Sequence, residues 1–205
     1  MNLIKLFETQ KVLRDRIDYN EPDRFNKLVL ALLVEIGECA NEWRGFKFWS
    51  KDQKPRTKGE CVMCDGFGND IYYTGSLEAG TLQECSEPCE YCDGMGNDDS
   101  ENPLLEEYVD GLHFVLELGL EFGFQKTRAF LVRTDFAIEK MFLKLNKIIA
   151  QFVVVEGREH KEFYFGELLS NYLGLGKMLG FTWEEIEQAY FAKNQINHQR
   201  QSEGY

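Results

Sequence analysis

The sequence lacks the features that would assign it to a membrane or to a nucleic acid. No continuous apolar run approaches the length of about 18 residues that a membrane-spanning helix needs. Lysine and arginine number 23 against 35 aspartates and glutamates, so the basic face expected for nucleic-acid binding is missing. The charged N-terminal segment has no secretory hydrophobic stretch or cleavage site. We therefore expect a cytoplasmic protein that binds neither a membrane nor nucleic acid.

Strand-like alternation is scarce outside the middle of the chain, and helical periodicity dominates both ends. With 43% hydrophobic residues, the 205 residues can bury one ordinary core. A last helix begins at Thr182, which has capping-box spacing to Glu185. The sequence predicts an all-α fold for residues 1–205, a bundle of five or six helices. The other predicted helices are 3–17, 21–43, 102–124, 127–153 and 162–179.

The segment 50–101 interrupts this pattern between helices two and three. It holds five of the six cysteines, and the pattern C-x-x-C-D-G-x-G occurs in it at 61–68 and again at 89–96. Two cysteines separated by two residues can bind one metal ion from a tight turn, and the glycines allow the positive φ angles that such a turn needs. We therefore predict a small zinc-binding insert, with one structural Zn²⁺ per chain held by Cys61, Cys64, Cys89 and Cys92.

Two other interpretations of these cysteines are a redox dithiol and a set of free thiols. A redox C-x-x-C usually accompanies a βαβ pattern, which is absent here. The repeated motif is similar to the zinc-binding repeat of the DnaJ chaperones, but only over eight residues twice. Cys85 lies close enough in sequence to be a substitute ligand, whereas Cys39 is expected to be a buried thiol.

Carboxylates interrupt two of the apolar helices. Glu35 and Glu38 lie one turn apart in the second helix, and Glu107 and Asp110 lie one turn apart in the third. One such pair usually lies on a solvated surface. Two pairs on apolar stripes, with no basic residue on either stripe, favour a site for divalent cations, because buried carboxylates repel one another. Oxygen ligands favour Mg²⁺ or Mn²⁺ over zinc.

Three motifs together resemble the dimeric, all-α dUTPases, which belong with the MazG-like nucleotide pyrophosphatases. They are EIGECANEWRGFKFWS (35–50), EYVDGLHF (107–114) and KNQINHQRQSEGY (193–205). The resemblance covers both ends and the centre of the chain but not the cysteine insert, and it looks closest to the forms in Gram-positive bacteria and their phages. It implies an enzyme, a dUTP diphosphatase, that hydrolyses dUTP, and also dUDP, to dUMP by a metal-activated water.

The resemblance also implies roles for individual residues. Glu35, Glu38, Glu107 and Asp110 would be the catalytic carboxylates and would hold two or more Mg²⁺ ions per active site. The predicted substrate-binding residues have polar, basic or aromatic side chains: Lys193 and Arg200 for phosphate, Asn197 and Gln10 for uracil, His113 for deoxyribose, and Trp49 or Phe46 for stacking on the base.

Two alternatives to a dUTPase follow from the same residues. The first is a MazG-like pyrophosphatase of other or damaged nucleotides, which would use the same metals with a different base pocket. The second is a regulatory binding protein that acts on a protein partner through the insert. Residues 130–155 contain more apolar side chains than one helical stripe can hold, which suits a face between two subunits. Together with the resemblance, this predicts a homodimer.

Overall fold

The computed structural model describes residues 2–78, 80–126, 134 and 136–204. This part of the chain forms six α-helices and four short strands, which confirms the predicted all-α fold. None of the helices in it is both long enough and apolar enough to cross a bilayer. The helices are α1 (Leu3–Ile17), α2 (Arg24–Trp43), α3 (Pro103–Phe122), α4 (Ile138–Val154), α5 (Arg158–Met178) and α6 (Trp183–Glu203).

Local capping explains where several helices begin. The side chain of Asn2 accepts a hydrogen bond from the Lys5 amide at the start of α1, at 3.2 Å. Thr182 and Glu185 form the predicted capping box of α6, so its start was predictable from sequence. Gly157, at φ +81°, precedes α5 and lets the chain reverse after α4. Helix α5 therefore begins four residues before the predicted 162, in a charged turn without apolar periodicity.

The prediction of a helix from 127 to 153 is only partly met. Helix α4 begins at Ile138, and neither residue 134 nor residues 136 and 137 are helical. The rest of the predicted N-terminal part, 127–133 and 135, lies outside the described residues. Helix α2 also begins later than predicted, because the residues just before Arg24 form a turn.

The core of the bundle contains a reciprocal tyrosine pair that joins α3 to α5. The Tyr108 hydroxyl donates to the Tyr172 carbonyl at 3.1 Å, and the Tyr172 hydroxyl donates to the Tyr108 carbonyl at 2.8 Å. Each hydroxyl lies against a glycine of the other helix: a Cβ on Gly111 would lie 2.1 Å from the Tyr172 oxygen, and one on Gly176 would lie 2.5 Å from the Tyr108 oxygen. These glycines allow the two helices to approach closely at the level of Glu35.

One face of α2 carries exposed apolar side chains. Leu30 and Val34, one turn apart, are 63% and 49% exposed. Gly37 continues this stripe, and a Cβ added to it would have no neighbour within 4 Å. On α4, which packs against α2, Leu143 is 70% exposed. The described bundle therefore leaves apolar surface open on two neighbouring helices.

The chain divides into two compact units, Met1–Pro55 with Leu104–Tyr205, and Arg56–Pro103. The second unit contains four strands in two antiparallel pairs. Strands β1 (Gly59–Glu60) and β4 (Asn97–Asp98) form the first pair, with Gly59 opposite Asp98. Strands β2 (Asn69–Thr74) and β3 (Gln83–Pro88) form a two-stranded ribbon, whose side chains are almost all exposed.

Candidate active site

Helices α2 and α3 bring three of the four predicted catalytic carboxylates together. Glu35, Glu38 and Glu107 each offer one oxygen, and these oxygens all lie within 4.8 Å of one another. Glu35 and Glu107 are half-buried and Glu38 is exposed, so the carboxylates do not face into the core as the apolar stripe suggested. Leu32, Ile36 and Cys39 occupy the buried face of α2, and the glutamates lie at its border.

The environment of this glutamate cluster disfavours full ionisation. Burial, followed by repulsion from Asp110 and Glu38, raises the pKa of Glu35 to about 7. Burial, followed by repulsion from Glu38 and Asp110, raises the pKa of Glu107 to about 7. Because crowded carboxylates that resist ionisation are stabilised by a cation, the donor set fits a divalent ion with oxygen ligands. Glu35, Glu38 and Glu107 would hold it.

Asp110, the fourth carboxylate, pairs with a lysine in this structure. Lys193 of α6 lies 2.6 Å from Asp110 and 2.8 Å from Glu106. No basic residue lies on either acidic stripe, but a compensating charge comes from a distant helix, so the absence of bases from the stripes does not exclude an ion pair. Burial lowers the pKa of Lys193, but its two carboxylate partners outweigh that effect and raise it. Burial raises the pKa of Asp110 although Lys193 opposes the rise.

A cavity of about 400 Å³ contains four of the six predicted substrate-binding residues, namely Gln10, His113, Asn197 and Arg200. Its apolar wall includes Leu28, Ala31 and Phe114. The cavity adjoins the carboxylates through α3, on which Asp110 and His113 are one turn apart, and the charge of Arg200 lowers the pKa of Asp110. An apolar cavity with a few convergent polar groups is typical of a small-molecule site.

The other two predicted substrate-binding residues do not line this cavity. Lys193 precedes Asn197 by one helical turn and makes the ion pairs described above. Trp49 is 66% exposed, and its ring centroid lies 5.7 Å from that of Phe46 and 5.0 Å from that of Phe48. The structure thus places the aromatic candidates together in a surface cluster.

Gln10 belongs to a buried network that the sequence did not reveal. Its amide nitrogen donates to Glu117 at 3.0 Å, and its amide oxygen lies 2.7 Å from the Tyr190 hydroxyl and 2.8 Å from His113 Nδ1. Glu117 in turn pairs with Arg24 at 2.5 Å and with Arg14 at 3.4 Å. The sequence spacing could have indicated Glu117, because it follows Asp110 by seven residues and therefore lies on the same face of α3.

The four predicted zinc ligands form a second cluster, within the unit Arg56–Pro103. Their sulfurs lie within 4.8 Å of one another and all four side chains are buried. Cys61 and Cys89 are 4.0 Å apart and Cys64 and Cys92 are 3.8 Å apart, too far for disulfides but close to the edge of about 3.8 Å of a tetrahedral Zn–S₄ site. The Gly68 and Gly96 amides each donate to a cysteine sulfur at 3.2 Å. The cysteines therefore fit a zinc ion.

The remaining two cysteines lie apart from this cluster. Cys85 is half-buried on β3, with its sulfur 3.4 Å from the Thr74 hydroxyl oxygen. Cys39 is completely buried in the core of the bundle, where burial raises the pKa of its thiol. The structure thus gives no ligand role to either thiol.

Comparison with protein families identifies the chain. The model of a family described as dUTPase matches residues 2–67 and 93–205, which includes every predicted carboxylate and substrate-binding residue. The unmatched residues, 68–92, contain β2, β3 and two of the clustered cysteines. Comparison with curated proteins and with solved structures gave no significant match. The family match confirms the predicted activity, hydrolysis of dUTP by a nucleotide pyrophosphatase. The chain therefore belongs to the all-α dUTPase family.

Proposed function

We propose that this dUTPase is Mg²⁺-dependent and hydrolyses dUTP, and also dUDP, to dUMP at the glutamate cluster of α2 and α3. The observation that carries the proposal is the convergence of Glu35, Glu38 and Glu107 beside a cavity of nucleoside size. Bound Mg²⁺ would neutralise phosphate charge, polarise the phosphorus and lower the pKa of a bound water. Asp110 would join the set when Lys193 exchanges it for a phosphate oxygen.

The side chains around the cluster support this reaction. Lys193 and Arg200, on one side of α6, can bind phosphate oxygens and orient the triphosphate. A glutamate of the cluster can accept the proton of the attacking water while the phosphoanhydride linkage between the α- and β-phosphates breaks. The products are dUMP and pyrophosphate from dUTP, and dUMP and phosphate from dUDP. Asn197 can present its amide group to uracil in the cavity, and Gln10 can present the N–H that its bond to Glu117 leaves over. Trp49 can close over the base when its surface segment moves.

The variant Glu38→Gln tests the proposal. It preserves the size of the side chain but removes one negative charge from the cluster, so kcat for dUTP with Mg²⁺ should fall by roughly 30-fold to 1,000-fold, about 2 to 4 kcal/mol. Glu8→Gln, an exposed glutamate of α1, is the control and should retain activity. Near-normal turnover in Glu38→Gln would exclude the assigned metal site.

A nucleotide panel separates the proposal from a pyrophosphatase of other substrates. With Mg²⁺, the wild-type protein should release pyrophosphate from dUTP far faster than from dCTP, dTTP or UTP. Faster hydrolysis of any of the other three would favour the alternative of a MazG-like enzyme with a different base pocket. Pyrophosphate release and dUMP are measured together, so that stepwise removal of single phosphates is recognised.

We propose a structural role for zinc in the unit Arg56–Pro103. Four cysteines fill a tetrahedral coordination shell, which leaves no position for water or phosphate. Zinc would also supply the free energy that this unit lacks, since large apolar residues such as Phe67, Leu77 and Tyr91 are exposed rather than packed in a core. These exposed side chains are also the surface that a protein partner would cover.

A further inference from the structure

His113 has one ring nitrogen without a partner in the described structure. The side chain is 5% exposed, lines the cavity and stacks on Tyr190, with ring centroids 4.1 Å apart. Nδ1 contacts the Gln10 amide oxygen, but Nε2 is buried and makes no hydrogen bond. A buried polar atom of this kind destabilises the fold unless it is paired, so a ligand in the cavity is the natural partner.

The protonation of that nitrogen follows from the hydrogen bonds behind it. Glu117 accepts a hydrogen bond from Arg24, forms an ion pair with Arg14 at 3.4 Å and, as a carboxylate, can only accept from Gln10 as well. The Gln10 amide must therefore turn its NH₂ group to Glu117 and its oxygen to His113. Since that oxygen accepts, His113 Nδ1 must carry the proton. In a neutral imidazole Nε2 is then left with a lone pair.

The ring is neutral in these surroundings. Burial, followed by repulsion from Lys193, lowers the pKa of His113 to about 3. Neither a proton nor a hydrogen-bond donor of the protein therefore occupies Nε2. The arginines, Glu117 and Gln10 form a chain of contacts that ends at His113, a residue that lines the cavity and whose buried Nε2 is an unpaired acceptor.

We propose that His113 Nε2 selects the substrate by accepting a hydrogen bond from an N–H or O–H group of the nucleoside, and that Glu117 is the positioning residue that fixes this acceptor through Gln10. The inference rests on the proposed function, in which the cavity holds the nucleoside. Two groups of deoxyuridine have the required chemistry, N3–H of the base and O3′–H of the sugar. Cytosine has no proton on N3, so the first source would also discriminate against dCTP.

Nitrogen NMR of the imidazole tests the tautomer without any catalysis. The protein is labelled with ¹⁵N-histidine, and His160→Gln and His198→Gln remove the other two signals. At neutral pH, Nδ1 should show the shift of a protonated nitrogen and Nε2 that of an unprotonated one. Adding α,β-imido-dUTP should shift Nε2 upfield and leave Nδ1 protonated. A proton on Nε2 in the free protein would overturn the proposal.

A pair of isosteric variants tests the role of Glu117. In Glu117→Gln the new amide keeps its oxygen toward Arg24 and turns its NH₂ group to Gln10, so Gln10 should flip and move the His113 proton to Nε2. Glu121→Gln is the matched control, because Glu121 pairs with the same two arginines, at 2.5 Å and 3.4 Å, but is not bonded to Gln10. The control should keep the wild-type tautomer. An unchanged tautomer in Glu117→Gln would refute the positioning role.

Kinetics identify the donor. If N3–H is the donor, the preference for dUTP over dCTP in kcat/KM should fall by roughly 10-fold or more in Glu117→Gln, mainly through KM, and should be kept in Glu121→Gln. If O3′–H is the donor, the preference for dUTP over 2′,3′-dideoxy-UTP should fall instead. Loss of neither preference, with the tautomer inverted, would refute selection by His113. If the wild type does not hydrolyse dUTP while the free protein has the stated tautomer, the proposed function fails rather than the tautomer.

Discussion

At the scale of single residues, the glutamate cluster and the adjoining cavity differ in how their charges are balanced. Among the described residues, Lys193, which contacts Asp110, is the cation that acts on the carboxylates of Glu35 and Glu107. Around the cavity, by contrast, the single negative charge of Glu117 lies beside Arg24 and Arg14. The glutamate cluster therefore favours an added cation, whereas the charge of Glu117 is already balanced by arginines.

The raised pKa values of Glu35 and Glu107 predict a pH dependence of stability. Both pKa values rise to about 7 on folding, from an unfolded value near 4.5. The folded state therefore binds more protons between these values, and stability without Mg²⁺ should fall as pH rises from about 4.5 through 7. Mg²⁺ needs the ionised carboxylates, so it should raise the melting temperature more at pH 8 than at pH 5.5.

Thermal melts with and without MgCl₂ measure this dependence. The double variant Glu35→Gln with Glu107→Gln should melt with a weaker dependence on pH in this range and should lose the Mg²⁺ effect. If the double variant keeps the wild-type pH dependence, the two glutamates are not its source.

The close packing of Gly111 against the Tyr172 hydroxyl predicts how a substitution there changes the free energy of unfolding. Gly111→Ala would place a methyl group 2.1 Å from the Tyr172 hydroxyl oxygen and 3.5 Å from Glu35 Cβ. Overpacking of this kind costs about 1–3 kcal/mol of unfolding free energy. Tyr172→Phe removes the hydroxyl, so the double variant should be more stable than the sum of the single effects predicts. Denaturant unfolding of the four proteins gives the coupling, and strict additivity would contradict the assigned contact.

The residue types of the site were predictable, but their partners were not. Glu35, Glu38 and Glu107 follow from helical spacing and from the family motifs. The ion pair of Lys193 with Asp110 joins residues 83 positions apart, and the bond of Gln10 to Glu117 joins residues 107 apart. Such pairs depend on how the helices pack, which a single sequence does not encode in any local pattern.

Among the elements, apolar periodicity predicted the positions of the helices better than it predicted the residues at which they begin and end. α1 has the predicted bounds and α6 the predicted capping box, since each has a capping side chain. Helix α4 starts at Ile138 without a side-chain cap, and α5 starts in a charged turn, so neither start had a local signal. In the insert, the glycines and the repeated cysteine motif predicted the cluster of four cysteines, whereas no periodic pattern predicted the short strands.

The four clustered cysteines of the unit Arg56–Pro103 give a prediction at this scale. The protein purified without chelators should contain about one zinc per chain. Cys61→Ser with Cys64→Ser should lose the zinc and make residues 56–103 sensitive to protease, because metal binding supplies the ordering free energy. The Mg²⁺ requirement for hydrolysis should stay, with at most a partial loss of activity.

Cys85→Ser is the control for this experiment and should keep both the zinc and the protease resistance, since its sulfur lies outside the cluster. Metal analysis and limited proteolysis give the answer. An absence of zinc in the wild type, with all six thiols titrating freely, would refute the structural site. A double variant that keeps its fold but loses all turnover would indicate a catalytic zinc.

For the whole molecule, the exposed stripe of α2 bears on assembly. Leu30 and Val34 are open to solvent beside Gly37, and a second copy of the chain would bury them against a flat helical face. We therefore expect a homodimer of about twice 23.9 kDa by light scattering at micromolar concentration. Leu30→Glu with Val34→Glu should shift the mass towards the monomer.

The control variant for assembly is Lys177→Glu, an exposed change at the end of α5, which should leave the mass unchanged. A monomeric wild type would contradict the prediction. If the double variant is still a dimer, the interface does not lie on the exposed stripe of α2.

The pairing of β1 with β4 has a consequence for how such a chain changes over evolutionary time. Gly59 stands opposite Asp98 and Glu60 opposite Asn97, so the unit Arg56–Pro103 has two paired strands close to its ends, about 5 Å apart. A segment with adjacent ends can be gained, lost or exchanged by recombination as one cassette, and a short turn can close the gap it leaves. The family match omits only an inner part of this unit, residues 68–92, and includes both β1 and β4.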